Sequence, residues 1–178
     1  MPRSLLAIAY PKISAADRDW MQSLRQKYDA LYIDVVEPHF TLVFPVFDID
    51  ETKFVAHIRQ QVEEIEAFEF VIRCAVLGDD AFSDYTHVFL VPDEGHSNVV
   101  KLHDRLYTGL LARELRLDIP FVPHIGVANS PDAKACKKLV DELNSKELAI
   151  EGKVENIDVI WYEDDKVGII DRISLKSG

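Results

Sequence analysis

Two stretches of this 178-residue chain resemble each other in composition and in setting. Pro38-His39-Phe40-Thr41-Leu42-Val43-Phe44-Pro45 and Phe121-Val122-Pro123-His124-Ile125-Gly126-Val127-Ala128 each place a Pro-His pair at the head of an apolar run, the second 85 positions after the first. In an extended strand alternate side chains share a face. His39 and Thr41 then point one way while Phe40, Leu42 and Phe44 point the other, so one face carries chemistry and the other faces a core.

The elements around the two stretches follow one order. Residues 5–10 form an apolar strand closed by Pro11. Ser14 and Asp17 have capping-box spacing, and Trp20, Leu24, Tyr28 and Leu31 recur at helical intervals. The His39 strand follows, ended by Pro45. Asp50 caps a helix to about residue 66 with the stripe Phe54, Ile58, Val62 and Ile65. Residues 68–77 make a strand with Phe70, Ile72, Cys74 and Val76 on one side, turned off by Gly78-Asp79-Asp80.

The second half reruns this order. A strand over 86–91 stops at Pro92, and Ser97 caps a helix through Val99, Leu102, Leu106 and Leu110 that fades around Leu115. The His124 strand comes next. Ser130-Pro131 opens a helix with Cys136, Leu139, Val140 and Leu143 on one face. Residues 147–162 are largely extended, 163–166 turn, and 167–175 pair back as a last, added strand. Similar halves commonly pack about a pseudo-twofold axis. That arrangement brings His39 and His124 face to face across a central cleft, each on the inner strand of its own sheet.

The composition, 48% hydrophobic and 29% charged, suits one compact domain with a real core. The net charge of -11 argues against tight non-specific binding to a long nucleic acid, since each phosphate contact normally wants a lysine or arginine. A local imidazole-rich cleft still suits a small anion. Cys74 and Cys136 lie in segments that read as strand and helix, which favours buried free thiols over a disulfide. The first residues lack a secretory pattern and no stretch is long enough to span a bilayer, so a soluble cytoplasmic protein, monomeric by default, is expected.

In-line displacement at phosphorus needs a base beside the entering oxygen and an acid beside the leaving one. Imidazole suits both roles, each worth typically about 10² to 10⁴ in rate, and a hydroxyl such as that of Thr41 can hold a non-bridging oxygen. No metal or cofactor is required. Tyr10, Phe47, Tyr85 and Trp161 are candidates to stack on a base, with core packing the better reading for Trp161. His87 reads as a sheet-packing residue, and His57, His96 and His103 as solvated. A zinc site from His39, His87 and His124 suffices in ligand number but lacks close ligand spacing.

The motifs Pro38-His39-Phe40-Thr41-Leu42 and Pro123-His124-Ile125-Gly126-Val127, set in equivalent halves of the chain, resemble the paired His-x-Thr-x motifs of the two-histidine (2H) phosphoesterase superfamily. That superfamily includes 2'-5' RNA ligase-like proteins and cyclic nucleotide phosphodiesterases. The resemblance runs from Leu5 to Leu175. It implies one α+β domain over 1–178, bilobal, with an internal repeat at about 4–80 and 85–176. Two antiparallel sheets would flank a central cleft, with the helices outside. It further implies metal-independent chemistry on 2',3'-cyclic phosphates, 2'-5' linkages or related nucleotide and RNA-end phosphodiesters. His39 and His124 become the catalytic pair, and Thr41, Gly126, Tyr10 and Tyr85 the substrate-binding residues. The second motif departs from the family at Gly126, where threonine or serine is usual. The departure leaves open a slower enzyme, an altered substrate or a site kept for binding.

Overall fold

The computed structural model describes residues 3–79 and 84–177; Asp80 of the expected turn, Met1 and Pro2 lie outside the described residues. The described residues form nine strands and four α-helices: β1 (Ser4–Ala9), β2 (Lys12–Ile13), α1 (Ala15–Tyr28), β3 (Phe40–Val46), α2 (Glu51–Val62), β4 (Phe68–Asp79), β5 (Thr86–Glu94), α3 (His96–Leu106), β6 (Ile125–Ser130), α4 (Ala133–Asn144), β7 (Ile150–Val154), β8 (Asn156–Glu163) and β9 (Lys166–Ser174). No helix among the described residues is long and apolar enough to cross a membrane.

All nine strands hydrogen-bond into one antiparallel sheet in the order β2-β7-β4-β5-β6-β3-β1-β8-β9. The expected pair of separate sheets is therefore one continuous sheet. Its seam is narrow, because β3 and β6 share the single residue pair Phe40 and Ile125. The order strand-helix-strand-helix-strand occurs twice, as β1-α1-β3-α2-β4 and β5-α3-β6-α4-β8. Each half sends a long strand across the seam: β4 lies beside β5, and β8 beside β1.

The core is continuous under both sides of the seam. Phe40, Leu42, Ile125 and Val127 are buried, and Phe40 meets Phe70 edge-on at 5.1 Å between ring centroids. Burying a side chain of this size is worth about 1.5–3 kcal/mol. Phe54 and Ile58 of α2, Leu102 and Leu106 of α3, and Leu139 and Leu143 of α4 join the same cluster.

Several boundaries depart from the sequence expectations for local reasons. Ser14 and Asp50 do cap α1 and α2, accepting from the Asp17 and Lys53 amides. Ser97 caps nothing: Gly95, at φ 76, precedes α3 without a side-chain cap bond. Asp132 rather than Ser130 caps α4, accepting from the Lys134 and Ala135 amides, while Ser130 accepts from the Asp132 amide. The α2 helix ends at Val62 and α3 at Leu106, followed by a 3-10 turn over Gly109–Leu111. Pro45 and Pro92 sit inside β3 and β5 instead of ending them. In β4 an irregularity between Ile72 and Cys74 shifts the alternation, so Phe70, Ile72 and Ala75 are buried while Cys74 and Val76 are not. Both cysteines are free; Cys136 is buried and Cys74 only half-buried.

Candidate active site

The seam of the sheet is where the two Pro-His pairs meet. Antiparallel pairing sets Phe40 opposite Ile125. Continuing that register by one residue either way puts His39 opposite Gly126 and Thr41 opposite His124. The core-facing neighbours Phe40, Leu42, Ile125 and Val127 are fully buried, whereas His39, Thr41, His124 and Gly126 are partly exposed on the other face. His39 and His124 are thus diagonal neighbours across one strand pair, about 7–8 Å apart.

Both rings are held by the same device. The Nδ1–H of His39 donates to the Glu37 carbonyl at 2.7 Å, and that of His124 to the Val122 carbonyl at 2.6 Å, each two residues upstream. A donor at Nδ1 leaves Nε2 as the free lone pair of the neutral ring. Burial pushes both imidazoles down, to about 4 in each case. The Glu37 and Val122 carbonyls act in the opposite direction, and Arg25 adds to the depression at His39, as His39 and His87 do at His124. At neutral pH the empty site therefore presents two neutral imidazoles.

The flanking side chains differ on the two sides. Tyr10, one residue beyond the β1–β3 pair Ala9 and Phe40, meets the His39 ring edge-on at 6.1 Å. Its hydroxyl is raised above the usual tyrosine range, first by burial and then by Asp158 and Glu37. On the other side Phe89 of β5, paired with Gly126, stacks on His124 with centroids 3.6 Å apart and planes 18° off parallel. Phe89 lies over Gly78, where a Cβ would sit 1.9 Å from the Phe89 Cε2. The glycine makes room for the ring that backs the histidine. A Cβ added at Gly126 would meet no atom within 4 Å, so the space opposite His39 is open.

Of the other expected site residues, Thr41 is half-buried beside the pair. Tyr85 precedes β5 and is half-buried; four residues from Phe89, it lies roughly 13 Å along the strand from the histidines. Phe47 is exposed just past β3, and Trp161 packs against the core under the Arg3 guanidinium. Two histidines expected to be solvated are buried instead. His57 Nε2–H donates to the Leu106 carbonyl and His103 Nδ1–H to the Leu42 carbonyl, with Phe121 stacked on the His103 ring. His87 is buried on an interior strand, within ring distance of Tyr32 and Phe89.

Sequence reasoning missed Phe89 and a buried polar cluster at the end of α1. Arg25, 2% exposed, donates from Nε to Asp29 at 2.9 Å and from a terminal nitrogen to the Tyr32 carbonyl at 2.8 Å, while Asn129 of β6 donates to Asp29. The i,i+4 spacing of Arg25 and Asp29 is visible in the sequence, but the burial that makes it matter is not. A cleft of about 530 Å³ opens at Pro38 and Tyr10, with Glu37, Arg18, Asp158 and Arg172 also among its lining residues; neither histidine of the seam lines it. No group of three or more His, Cys, Asp or Glu among the described residues is arranged to hold a metal ion.

Two imidazoles stand just ahead of the paired central strands β3 and β6, each following a proline, and the sequence profile that the chain matches places it in the 2H phosphoesterase class. Residues 11–166 match the profile of the 2'-5' RNA ligase superfamily, and the chain belongs to that family. It is 26% identical to a candidate phosphoesterase of Geobacillus sp. strain WCH70 over 144 residues, covering 81% of this chain and 80% of the relative. A candidate phosphoesterase of Bacillus licheniformis is 23% identical over 151 residues, 83% of this chain and 85% of that one. Among solved structures, Escherichia coli LigT complexed with 3'-AMP superposes with a TM-score of 0.64 at 15% identity, covering 99% of this chain and 100% of LigT. The protein TT0787 of Thermus thermophilus gives 0.63 at 14% identity, with 98% of each chain covered.

Proposed function

We propose that this chain is a metal-independent phosphodiesterase that opens 2',3'-cyclic phosphates or related small nucleotide and RNA-end phosphodiesters, with His39 and His124 as the acid–base pair. One imidazole takes a proton from water through its free Nε2, and the resulting hydroxide attacks phosphorus. The other, protonated at Nε2, gives its proton to the departing ribose oxygen as the P–O bond breaks. Thr41 donates to a non-bridging oxygen, and Tyr10 borders the nucleoside. The two copies, at about 4–80 and 85–176, form one domain whose pseudo-twofold axis passes through the seam.

The observation that carries this reading is the matched pair of Nδ1–H bonds to the Glu37 and Val122 carbonyls, which leaves a free Nε2 on each of two imidazoles at the one seam. LigT structures with 3'-AMP, ATP and phosphate support a small nucleotide ligand. Gly126 favours a second reading, a cleft that binds phosphorylated ends without turnover, because the residue opposite His39 brings no hydroxyl. The test is hydrolysis of nucleoside 2',3'-cyclic phosphates in the presence of chelator. Wild-type turnover falling by about 10² to 10⁴ in each of His39→Ala and His124→Ala is the expected result. Saturable binding without product supports the second reading, and turnover that survives both substitutions overturns the site.

A further inference from the structure

The two sides of the seam differ in chemistry. On one side Thr41, Ile8, Asp158 and Arg172 are successive register partners on β3, β1, β8 and β9, so a carboxylate and a guanidinium lie two and three strands from Thr41. On the other side the corresponding rows are apolar. Phe89 of β5 is paired with Gly126 on β6 and with Val76 on β4. Leu90 is paired with Ile125, so one residue further along Val91 lies opposite His124, and Val91 is paired in turn with Cys74. Paired and alternate residues share a face, which puts Val76, Phe89, Val91 and Cys74 on the face that carries the imidazoles.

These four side chains are half-buried and stand outside the core cluster and the side chains packed against it. The core under β4 and β5 is made instead by Ile72, Ala75, Val88 and Leu90. The charges next along the two strands serve each other: Arg73 donates twice to Asp93, at 2.9 and 2.8 Å, and pairs with Glu94. A guanidinium so engaged leaves little call for an anion. Phe89 is committed as well, since it stacks on His124 and its ring fills the space over Gly78. Recognition of a base wants a free aromatic face and hydrogen-bond partners. Val76, Val91 and Cys74 offer neither, beyond one weakly bonding thiol, and suit a flexible aliphatic group. At about 4.8 Å between strands, this platform reaches about 10 Å from His124 to Cys74. The open space at Gly126, where an added Cβ meets nothing within 4 Å, lies at its edge.

We propose that this platform binds the aliphatic part of a phosphate ester whose phosphate is held at the two histidines. The substrate class is then a phosphodiester with an alkyl alcohol on its β4–β5 side, rather than one that is polar at both ends. Continuity with the histidines fixes the occupant: Val91 stands opposite an imidazole, so a group esterified to a phosphate held there and running across β5 meets apolar side chains alone. The proposal rests on the phosphodiesterase reading for the reaction, and on strand register for the place of the alkyl group.

The experiment measures, by titration calorimetry, the affinities of inorganic phosphate and of methyl, propyl, butyl and hexyl phosphate for wild type, Val76→Thr and Val91→Thr. Threonine keeps the branched shape and strand preference of valine, so the half-buried sites tolerate it, and inorganic phosphate is the reference within each variant. In wild type the affinity rises by about two- to fourfold per methylene, the worth of a CH2 half or wholly withdrawn from water. The rise is shallower in the variants. Affinities that ignore chain length in wild type, a slope unchanged in both variants, or no binding of any of these phosphates overturns the platform. Hydrolysis of a 2',3'-cyclic phosphate is read separately. Turnover with flat affinities leaves the phosphodiesterase reading standing and removes the platform. A slope that depends on Val76 or Val91 in a protein without turnover keeps the platform and removes the reaction.

Discussion

Thr41 and Gly126 occupy matched positions opposite the two imidazoles, and only Thr41 carries a hydroxyl. Since a Cβ at position 126 meets nothing within 4 Å, the glycine is not demanded by packing, and its φ is not in the left-handed region. Gly126→Thr should therefore fold normally and add a donor on the face that carries the two imidazoles. Turnover of a 2',3'-cyclic phosphate is expected to rise by up to about 10²-fold, the worth of one oxyanion donor. A fall at unchanged stability would mean that the open space accommodates part of the substrate. The pair itself is legible in sequence because Pro-His-apolar recurs in matched surroundings. His57 and His103 are not, because their partners are the carbonyls of Leu106 and Leu42, far away in the chain. Helical spacing says which residues share a face, but not which polar side chain finds a distant acceptor inside it.

The strands flanking the seam do more than carry side chains. Phe89 stacks on His124 only because Gly78 on the adjacent β4 leaves room beneath the ring. Gly78→Ala forces the ring to move, and overpacking of this kind typically costs about 1–3 kcal/mol. A lower midpoint in denaturant together with a reduced kcat is expected, since His124 loses its backing. A loss of stability with kcat unchanged would show that the stack does not position the histidine. Element order is readable from alternation and stripes, but two kinds of detail are not. The break in β4 between Ile72 and Cys74 depends on pairing with β5, and it moves Cys74 and Val76 off the buried face. The caps of α3 and α4 differ from expectation because Ser97 and Ser130 each lie near a better terminator: Gly95 at φ 76, and Asp132 with two backbone amides to accept from.

At the scale of the molecule, the narrow seam between β3 and β6 joins two half-sheets that each lend the other a strand, and both imidazoles lie there half-buried. The Arg25–Asp29–Asn129 cluster ties the end of α1 to β6 close by, and removing one partner of a buried ion pair usually costs about 3–5 kcal/mol. Burial of the histidines also links folding to pH. His39 and His124 stay neutral in the folded chain down to about 4, while the same residues in an unfolded chain take up protons near 6.5. The unfolded state thus binds more protons between those values, so their contribution to stability is complete above about pH 6.5 and is lost as pH falls toward 4; burial lowers His103 in the same direction.

The same displacement governs activity. With both pairs of electrons free at pH 7, only about one ring in a thousand carries the proton an acid needs, so the free enzyme loses kcat/KM by about tenfold per pH unit above about 5. A phosphate between the rings favours imidazolium and moves the optimum of kcat upward. The direct measurement is an NMR titration of the histidine ring nitrogens with pH, without and with inorganic phosphate. The expected result is that His39 and His124 titrate near 4 in the free protein and that both shift upward together as a single phosphate site fills. Two rings that titrate near the ordinary value of about 6.5 and ignore phosphate, or a phosphate response confined to one of them, would contradict the shared site.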